Sequence, residues 1–547
     1  MSNLAEEIIN RHEAKKAADL NWREEWDDTA NYCMPHKGNI TTISSAGEEQ
    51  TDDVHDSTAE ESLMIFAAGM LSQLTPVGEL WFRYESSNEE ASAELQAWFT
   101  DCTERAAKAI YSSNFYLAIH EDFLDAGMVG TSNTYLEQGE KRLLNFINIP
   151  IGGYTISENA EGMVDTVYRE WEWTARQAQQ KWGDDAMPKA ISEALNSGDV
   201  KDVDKKFNFI HAVYPRAKGE WREGLVEGSL RPVASIYVCV EDKCIIEEGG
   251  FYDMPYAVSR TMRSRNEVWG RGFGTQVKPE VKSLNLMERD LLIATEKQVR
   301  PSWLLPDDSA YVPDNRPDGL TYYDATNPNG KPERVKEEGR LDWGEQKTDQ
   351  KRRRIRSAFF ADMFQMLSNA EEQKREKTAF EVSQMVQEKL VLFSPVFARM
   401  VQEKLNPLLE RVFNVMMREG MFKQPPVDIA DDQGYEIAYV SKIALAIKAA
   451  QNNALMEMIE MTNAIIPFDQ SVAMVTDWRK AYREFAKNRG MSNEWQRTDK
   501  EIDQMMEEMR KAQAAQQAAE LAKTGSEAAK NLGADAQAQA TEAMAAS

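Results

Sequence analysis

The side chains best suited to chemistry are thinly spread in this chain. Five histidines, His12, His36, His55, His120 and His211, stand far apart, and no HExxH or CxxC pair is present to hold a zinc ion. A nucleotide motor would need a GxxxxGK(S/T) loop, whose backbone amides cradle phosphates, and none occurs. His120-Glu121-Asp122 has the residue types for acid/base or metal work. It reads better as the first turn of a helix, where acids meet the positive end of the dipole. With 90 acidic residues, chance carboxylate pairs are certain and carry no weight. Cys239 and Cys244 flank VEDK within SIYVCVEDKCII, and a two-residue loop at Glu241-Asp242 would set them opposite each other in a hairpin. They read as a reduced, packed pair, because no second pair or histidine cluster follows to complete a metal site.

Three polar segments could meet a phosphate. Lys347, Lys351, Arg352, Arg353, Arg354 and Arg356 form the densest basic run. On a helix such positions point around the whole circumference, so they cannot make one binding stripe. A solvated, salt-bridged segment accounts for most of them, while one or two, repeated around an oligomer, would line a channel. The glycines of RTMRSRNEVWGRGFGTQ, with Arg271 among them, fit either phosphate binding or a tight turn before a helix. Ser368 to Lys377 sets Lys374, Arg375 and Lys377 against Glu371, Glu372 and Glu376 and reads on its own as a helix–helix linker.

The elements that must carry these residues follow from length and periodicity. At 547 residues the chain exceeds one compact core, and three or four domains are expected. It is 42% hydrophobic and 28% charged, ordinary globular usage, and no apolar run reaches the roughly 18 residues of a membrane span. The polar, acidic N-terminus lacks the features of a secretory signal, so a cytoplasmic chain is expected. Four cysteines make no disulfide framework. A net charge of −26 argues against nucleic-acid capture by an overall basic face and fits passage of a nucleic acid better than its capture.

Periodicity predicts an amphipathic helix over the first 34 residues, ended by Pro35 and Gly38, then an apolar helix capped by Ser57 with Glu60 as its capping-box partner. Helices at about 90–112 and 114–127 follow. FINIPIGGYTI, MVDTVYREWEWT, FNFIHAVYP, ASIYVCV and CIIEEGGFY read as strands, interrupted by a helix with Thr174 as its cap. A helix from Pro279 to Arg300, roughly 30 Å long, is apolar on two sides. Six prolines then break helical order across 301–344, where a small β-rich insert is expected, before helix resumes from about 345 to Leu367. A chain that runs out along a stalk, makes a tip and returns has this pattern. Thr378 is expected to cap a long helix reaching Glu419, kinked at Pro395 and Pro407 and ended by Gly420. A strand, helices at 441–463 and 470–488, a further helix from 499 and a low-complexity tail complete the chain.

The segments DSTAEESLMIFAAGMLSQLTPVGELWF, SNFYLAIHEDFLDAGMVGTSNTYLE, IHAVYPR, RSRNEVWGRGFGTQ, IRSAFFADMFQML and TAFEVSQMVQEKLVLFSPVFARMVQEKLNPLLERVF, in this order, resemble the head-to-tail connector (portal) proteins of short-tailed bacteriophages. The resemblance implies an α+β, predominantly helical subunit assembling into a ring, a dodecamer. It implies an α+β wing at 1–270, antiparallel stem helices at 271–300 and 345–367 and a β-rich clip at 301–344. A tunnel loop, long helix and C-terminal wing fall at 368–490, and a helical crown and tail at 491–547. The implied partners are double-stranded DNA in the channel, the terminase large subunit, the tail adaptor, and capsid and scaffolding proteins, with no membrane. The implied place is the portal vertex of the virion, reached from the host cytoplasm. The tunnel loop would carry Glu371, Glu372, Lys374, Arg375, Glu376 and Lys377 into the channel. No catalytic residue, cofactor or metal is implied. Another helical virion or scaffold protein, or a terminase or nuclease component, would be the alternative.

Overall fold

The computed structural model describes residues 2–41, 47–51, 54–88, 92–139, 142–184, 187–197, 199–222, 224, 226–304, 326, 333–334, 341–368, 392–426, 434–465, 467, 475–488, 491, 497 and 502–518. Most of the insert expected at 301–344 lies outside the described residues. So do Glu371, Glu372, Lys374, Arg375, Glu376, Lys377, the expected Thr378 cap and the tail beyond 518. The chain divides into two compact units. One comprises Met1–Tyr84, Asp101–Gln424 and Ile437–Gln451, and the other Glu85–Thr100, Pro425–Glu436 and Asn452–Ser547.

In chain order the described elements are α1 (Ser2–Ala18), α2 (Leu20–Cys33), α3 (Thr58–Leu74), β1 (Phe82–Ser86), α4 (Ala93–Ser112), α5 (Phe115–Met128), β2 (Thr131–Glu137), β3 (Asn145–Ile149), β4 (Tyr154–Glu158) and β5 (Val164–Thr174). Then come α6 (Ala175–Trp182), α7 (Lys189–Asn196), α8 (Val200–Val203), β6 (Lys206–Pro215), β7 (Val233–Cys239), β8 (Cys244–Phe251), β9 (Tyr256–Arg260), α9 (Phe273–Val299), β10 (Trp303–Leu304), β11 (Glu333–Arg334), α10 (Leu341–Ala358) and α11 (Ala361–Ser368). Helix Asn406–Arg418, strand Tyr435–Tyr439 and helices Lys442–Ile465, Trp478–Asn488 and 502–518 follow. This is the α+β class expected from the alternation of helical and strand patterns.

Two antiparallel sheets organise the first unit, one in the order β4-β5-β6-β7-β8 and one in the order β3-β2-β9. The N-terminal helix expected as one piece is two, broken at Asp19, because its halves have different partners. Ala5, Ile8 and Ile9 of α1 pack on Tyr168, Ile210, Ala212, Ile236 and Val238 of the larger sheet. Trp26 of α2 instead meets Trp269 edge-on, with ring centroids 4.7 Å apart. Thr174 caps α6 in a reciprocal box with Gln177, as its sequence suggests.

Several boundaries differ from the sequence pattern, each for a local reason. Ser57 makes no cap bond; Asp56 Oδ1 accepts from Thr58 N at 2.9 Å instead, while Ser57 Oγ donates to Glu61 at 2.8 Å. The β7–β8 turn is four residues, 240–243, not two. Its side chains are occupied elsewhere: Glu241 Oε1 accepts from Asn208 N and Asp242 Oδ2 from Ala190 N, each at 2.8 Å. Helix α9 starts at Phe273, leaving Pro279 in its interior at the loss of one backbone donor. The start is fixed by close backbone approach. A Cβ on Gly272 would lie 2.5 Å from Gly130 N, and one on Gly274 2.5 Å from Met128 O. The glycines of GRGFG therefore serve packing rather than a phosphate loop. The return helix begins at Leu341 and breaks at Phe360, whose φ of 55° lies in the left-handed region.

Helix α1 is also held to the larger sheet by polar contacts. His12 Nε2 donates to Glu170 at 3.2 Å, its Nδ1 lies 3.2 Å from Thr155 Oγ1, and Lys16 Nζ reaches Glu170 at 2.6 Å. The His12 bond, aided by Lys16, pulls the Glu170 carboxyl from its ordinary 4.5 down to about 2, although burial works the other way. A carboxyl depressed in the folded state contributes stability that is full above the unfolded value and lost as pH falls through the folded one. Acid titration of the parent chain is expected to release α1 as pH falls from 4.5 toward about 2. Glu170→Gln removes this contribution at neutral pH, and protease cleavage within the first 18 residues reads both effects.

Candidate functional site

Two assemblies in the first unit bear on function, a helix pair and a buried ionic core. Helices α9 and α10 run antiparallel: Gly344 faces Leu291, Arg352 meets Glu288, and Lys351 and Arg354 reach back to Glu280. The Lys351–Glu280 contact is 2.5 Å and holds the Glu280 carboxyl below its usual range. Arg352 is held three ways, by Asp56 at 2.8 Å, Glu288 at 2.6 Å and Asp349 at 3.2 Å. Three of the six predicted basic residues are thus in intrachain ion pairs. Lys347, Arg353 and Arg356 are exposed, and among the described residues none of these three forms an ion pair. On α9, Val281 and Leu284 are buried while Leu286, Leu292, Ile293 and Val299 are exposed. The residues of the expected second apolar face, Leu286, Leu292 and Ile293, are thus exposed.

The second assembly lies where helix 392–400 passes into a π-helical turn, Val401–Leu405, and then into helix Asn406–Arg418. Asn406 N donates to Val401 O, five residues back. Pro407 has no N–H for an α-helical bond to Glu403, and the wide turn before it absorbs that loss. The kink expected at Pro407 takes this form, whereas helix is continuous through Pro395. The π turn buries two successive charged residues, Glu403 and Lys404.

Lys404 Nζ donates to Asp122 Oδ1 at 2.7 Å, Ala257 O at 2.7 Å and Thr134 Oγ1 at 3.2 Å, and both ionic side chains are 0% exposed. Asp122 accepts further bonds from Ser132 and Thr134, each at 2.7 Å. Burial lowers the Lys404 ammonium from the ordinary lysine range against the pull of Asp122. Glu403 takes the backbone N of Arg260 at 2.9 Å, its Nε at 3.1 Å and a terminal guanidinium nitrogen at 3.0 Å. Arg260 also reaches Glu158 and, at 2.9 Å, Gly162 O. About two turns beyond Lys404, Arg411 Nε donates to Leu136 O at 3.0 Å.

Asp122 belongs to the triplet expected in a first helical turn. It sits instead in the middle of α5, which begins at Phe115, and its role is internal. Sequence reasoning passed over Lys404 entirely. The signal was available: Lys404 stands between Met400 and Leu408 at four-residue spacing, among apolar positions where a lysine must find a partner. Among the described residues no group of three or more His, Cys, Asp and Glu is disposed to hold a metal ion. No described helix is long and apolar enough to cross a membrane. The core just described is saturated with internal bonds, so its chemistry is anchoring: it ties the long helix to α5, β2 and β9.

A sequence model for bacteriophage head to tail connecting proteins matches residues 5–496. The chain belongs to this connector family. Two curated relatives extend the likeness. One, described as "Probable portal protein", from Bordetella phage BPP-1, is 26% identical over 456 residues, covering 81% of this chain and 80% of its own length. The other, the portal protein of Salmonella phage epsilon15, is 23% identical over 540 residues, covering 96% and 95%. The family match takes in the glycine turn, the α9/α10 pair and the π turn, so both assemblies lie within the connector region.

In this connector chain, Lys404→Met leaves Asp122 buried without a counter-charge. The substitution is expected to cost about 3–5 kcal/mol, and adding Asp122→Asn should recover part of the loss. Denaturant unfolding of the parent chain and both variants measures this; a cost under about 1 kcal/mol for Lys404→Met would contradict the anchoring role.

Proposed function

We propose that this chain is the portal subunit of a short-tailed phage, a structural rather than catalytic protein that forms the channel at one capsid vertex for packaging and ejection of DNA. The observation that carries the reading is the family match over residues 5–496, supported by two portal relatives. In this reading the subunits close into a ring, a dodecamer, with α9 and α10 as its stem. Residues 301–344, which run from the end of α9 into the first turn of α10, are the clip, which docks the terminase large subunit and later the tail adaptor. Residues 1–270 are the wing, 368–490 hold the tunnel loop, long helix and C-terminal wing, and 491–547 the crown and tail. Capsid and scaffolding proteins meet the ring as it assembles in the host cytoplasm.

The polarity of the stem pair supports this reading. Glu280 and Glu288 of α9 pair with Lys351, Arg352 and Arg354 of α10, and Lys278 and Lys282 with Glu25 and Asp28 of α2, while Leu286, Leu292, Ile293 and Val299 are exposed. An exposed apolar stripe of this kind is what a neighbouring subunit would cover. The exposed Arg353 and Arg356 are the better candidates of the basic run for a channel wall, since Lys351 and Arg352 are engaged within the chain.

Two tests follow. Leu292→Glu with Ile293→Glu is expected to leave a folded subunit but abolish hollow rings in electron micrographs and shift sedimentation to monomer. Rings that persist would remove α9 from the interface. Replacing Lys374, Arg375 and Lys377 with Ala should leave rings intact while changing DNA packaging or retention, since exposed ion contacts contribute only about 0–1 kcal/mol each. Normal packaging by intact mutant rings would take these residues out of the channel.

A further inference from the structure

The β7–β8 hairpin ends on two cysteines, Cys239 and Cys244, which are Cα partners in its register. Directly opposed residues of an antiparallel pair project from the same face with Cα atoms about 4.5–5.5 Å apart. That lies inside the span of about 4.4–6.8 Å that a disulfide requires. Both thiols are free, as are Cys33 and Cys102, which lie apart in α2 and α4. We propose that Cys239 and Cys244 are a dithiol/disulfide couple, closed by a low-molecular-weight disulfide oxidant to staple the hairpin tip.

The tip is where such a bond would matter. Cys239 is buried in the apolar cluster of Ala175, Ala178, Ile191, Phe207 and Phe209. The adjoining Val240 and Ile245 pack on the cluster that holds α1. Glu241 and Asp242 of the turn take the backbone amides of Asn208 in β6 and Ala190 in α7. A covalent link at 239–244 therefore fixes a junction of α1, α7 and the larger sheet. Cys244 is half-buried and Cys239 fully buried, which makes Cys244 the first to react. Burial pushes the Cys239 thiol up to about 12 and raises the Cys244 thiol as well, and the less accessible Cys239 serves as the resolving group once its partner is engaged.

The exchange balances in two steps. The Cys244 thiolate attacks one sulfur of the oxidant RSSR, forming a mixed disulfide and releasing RS−, which takes up the proton lost by Cys244. Cys239 then gives up its proton and attacks the Cys244 sulfur, closing the bond and releasing the second RSH. The protein pair is oxidised by two electrons and the oxidant reduced to two thiols. This chemistry does not depend on the portal reading. Under that reading, the couple would close when a particle leaves the reducing host interior.

Trypsin cuts after Lys243, between the two cysteines, so the bond appears as a linked pair of peptides. Full-length protein incubated with oxidised glutathione under native conditions is expected to lose two of its four thiols and yield that pair. Cys239→Ala should stop at a glutathione adduct on Cys244, whereas Cys244→Ala should leave Cys239 unmodified. Amide exchange across 240–243 should slow on oxidation and recover with dithiothreitol. Four thiols still titratable, a linked pair that forms only in denaturant, bonds involving Cys33 or Cys102, or equal modification of the two variants would each overturn the proposal.

Discussion

An ammonium group buried with no access to water must find an anion and two further acceptors, and Lys404 finds them in Asp122, Thr134 and Ala257. Those partners come from α5, β2 and β9, so satisfying one side chain fixes the relation of three elements to the long helix. Glu403, its neighbour in sequence, does the same for Arg260 and through it for Glu158 at the end of β4. Burying such pairs gains little net energy over an apolar core, because the desolvation cost nearly cancels the attraction. Their effect is on uniqueness. A slide of the helix by one residue would leave two charges of opposite sign without partners in a dry interior, which makes alternative registers costly.

The helix pair shows the complementary distribution. Polar groups of α9 and α10 face each other, and α9 turns part of its apolar surface outward. An acidic chain of net charge −26 thus spends much of the basic run at 347–356 on its own carboxylates. Counting cations along the sequence overstates those available to a phosphate. Only the pairing partners, distant in sequence at Asp56, Glu280 and Glu288, reveal which remain exposed.

Much of the fold was legible because it depends on short-range signals. The β-rich runs of β5 to β8 between turn residues, the Thr174 cap and the α4 and α5 spans follow from patterns of a few residues. The misread boundaries depend on contacts across long sequence separations. The start of α9 is set by Gly130, the cap of α3 by an Asp56 anchored to Arg352, and the four-residue hairpin turn by Asn208 and Ala190. The buried ionic core was missed for the same reason: Asp122 and Lys404 are both ordinary helical residues until the other is placed beside them.

The π turn has a further consequence, in phase. A turn that holds one extra residue advances every preceding position by about 100° around the helix axis and about 1.5 Å along it, relative to an uninterrupted α-helix. Phe393, which packs on Phe360 and Phe364, and Leu408 and Val412, on the other side of the turn, are therefore not on the face that simple seven-residue counting would assign. The helix behaves as two rods joined by a fixed angular offset. A one-residue insertion or deletion inside 401–405 acts as a dial: it leaves the rods whole and changes the bearing of the upstream one, 392–400, relative to helix Asn406–Arg418.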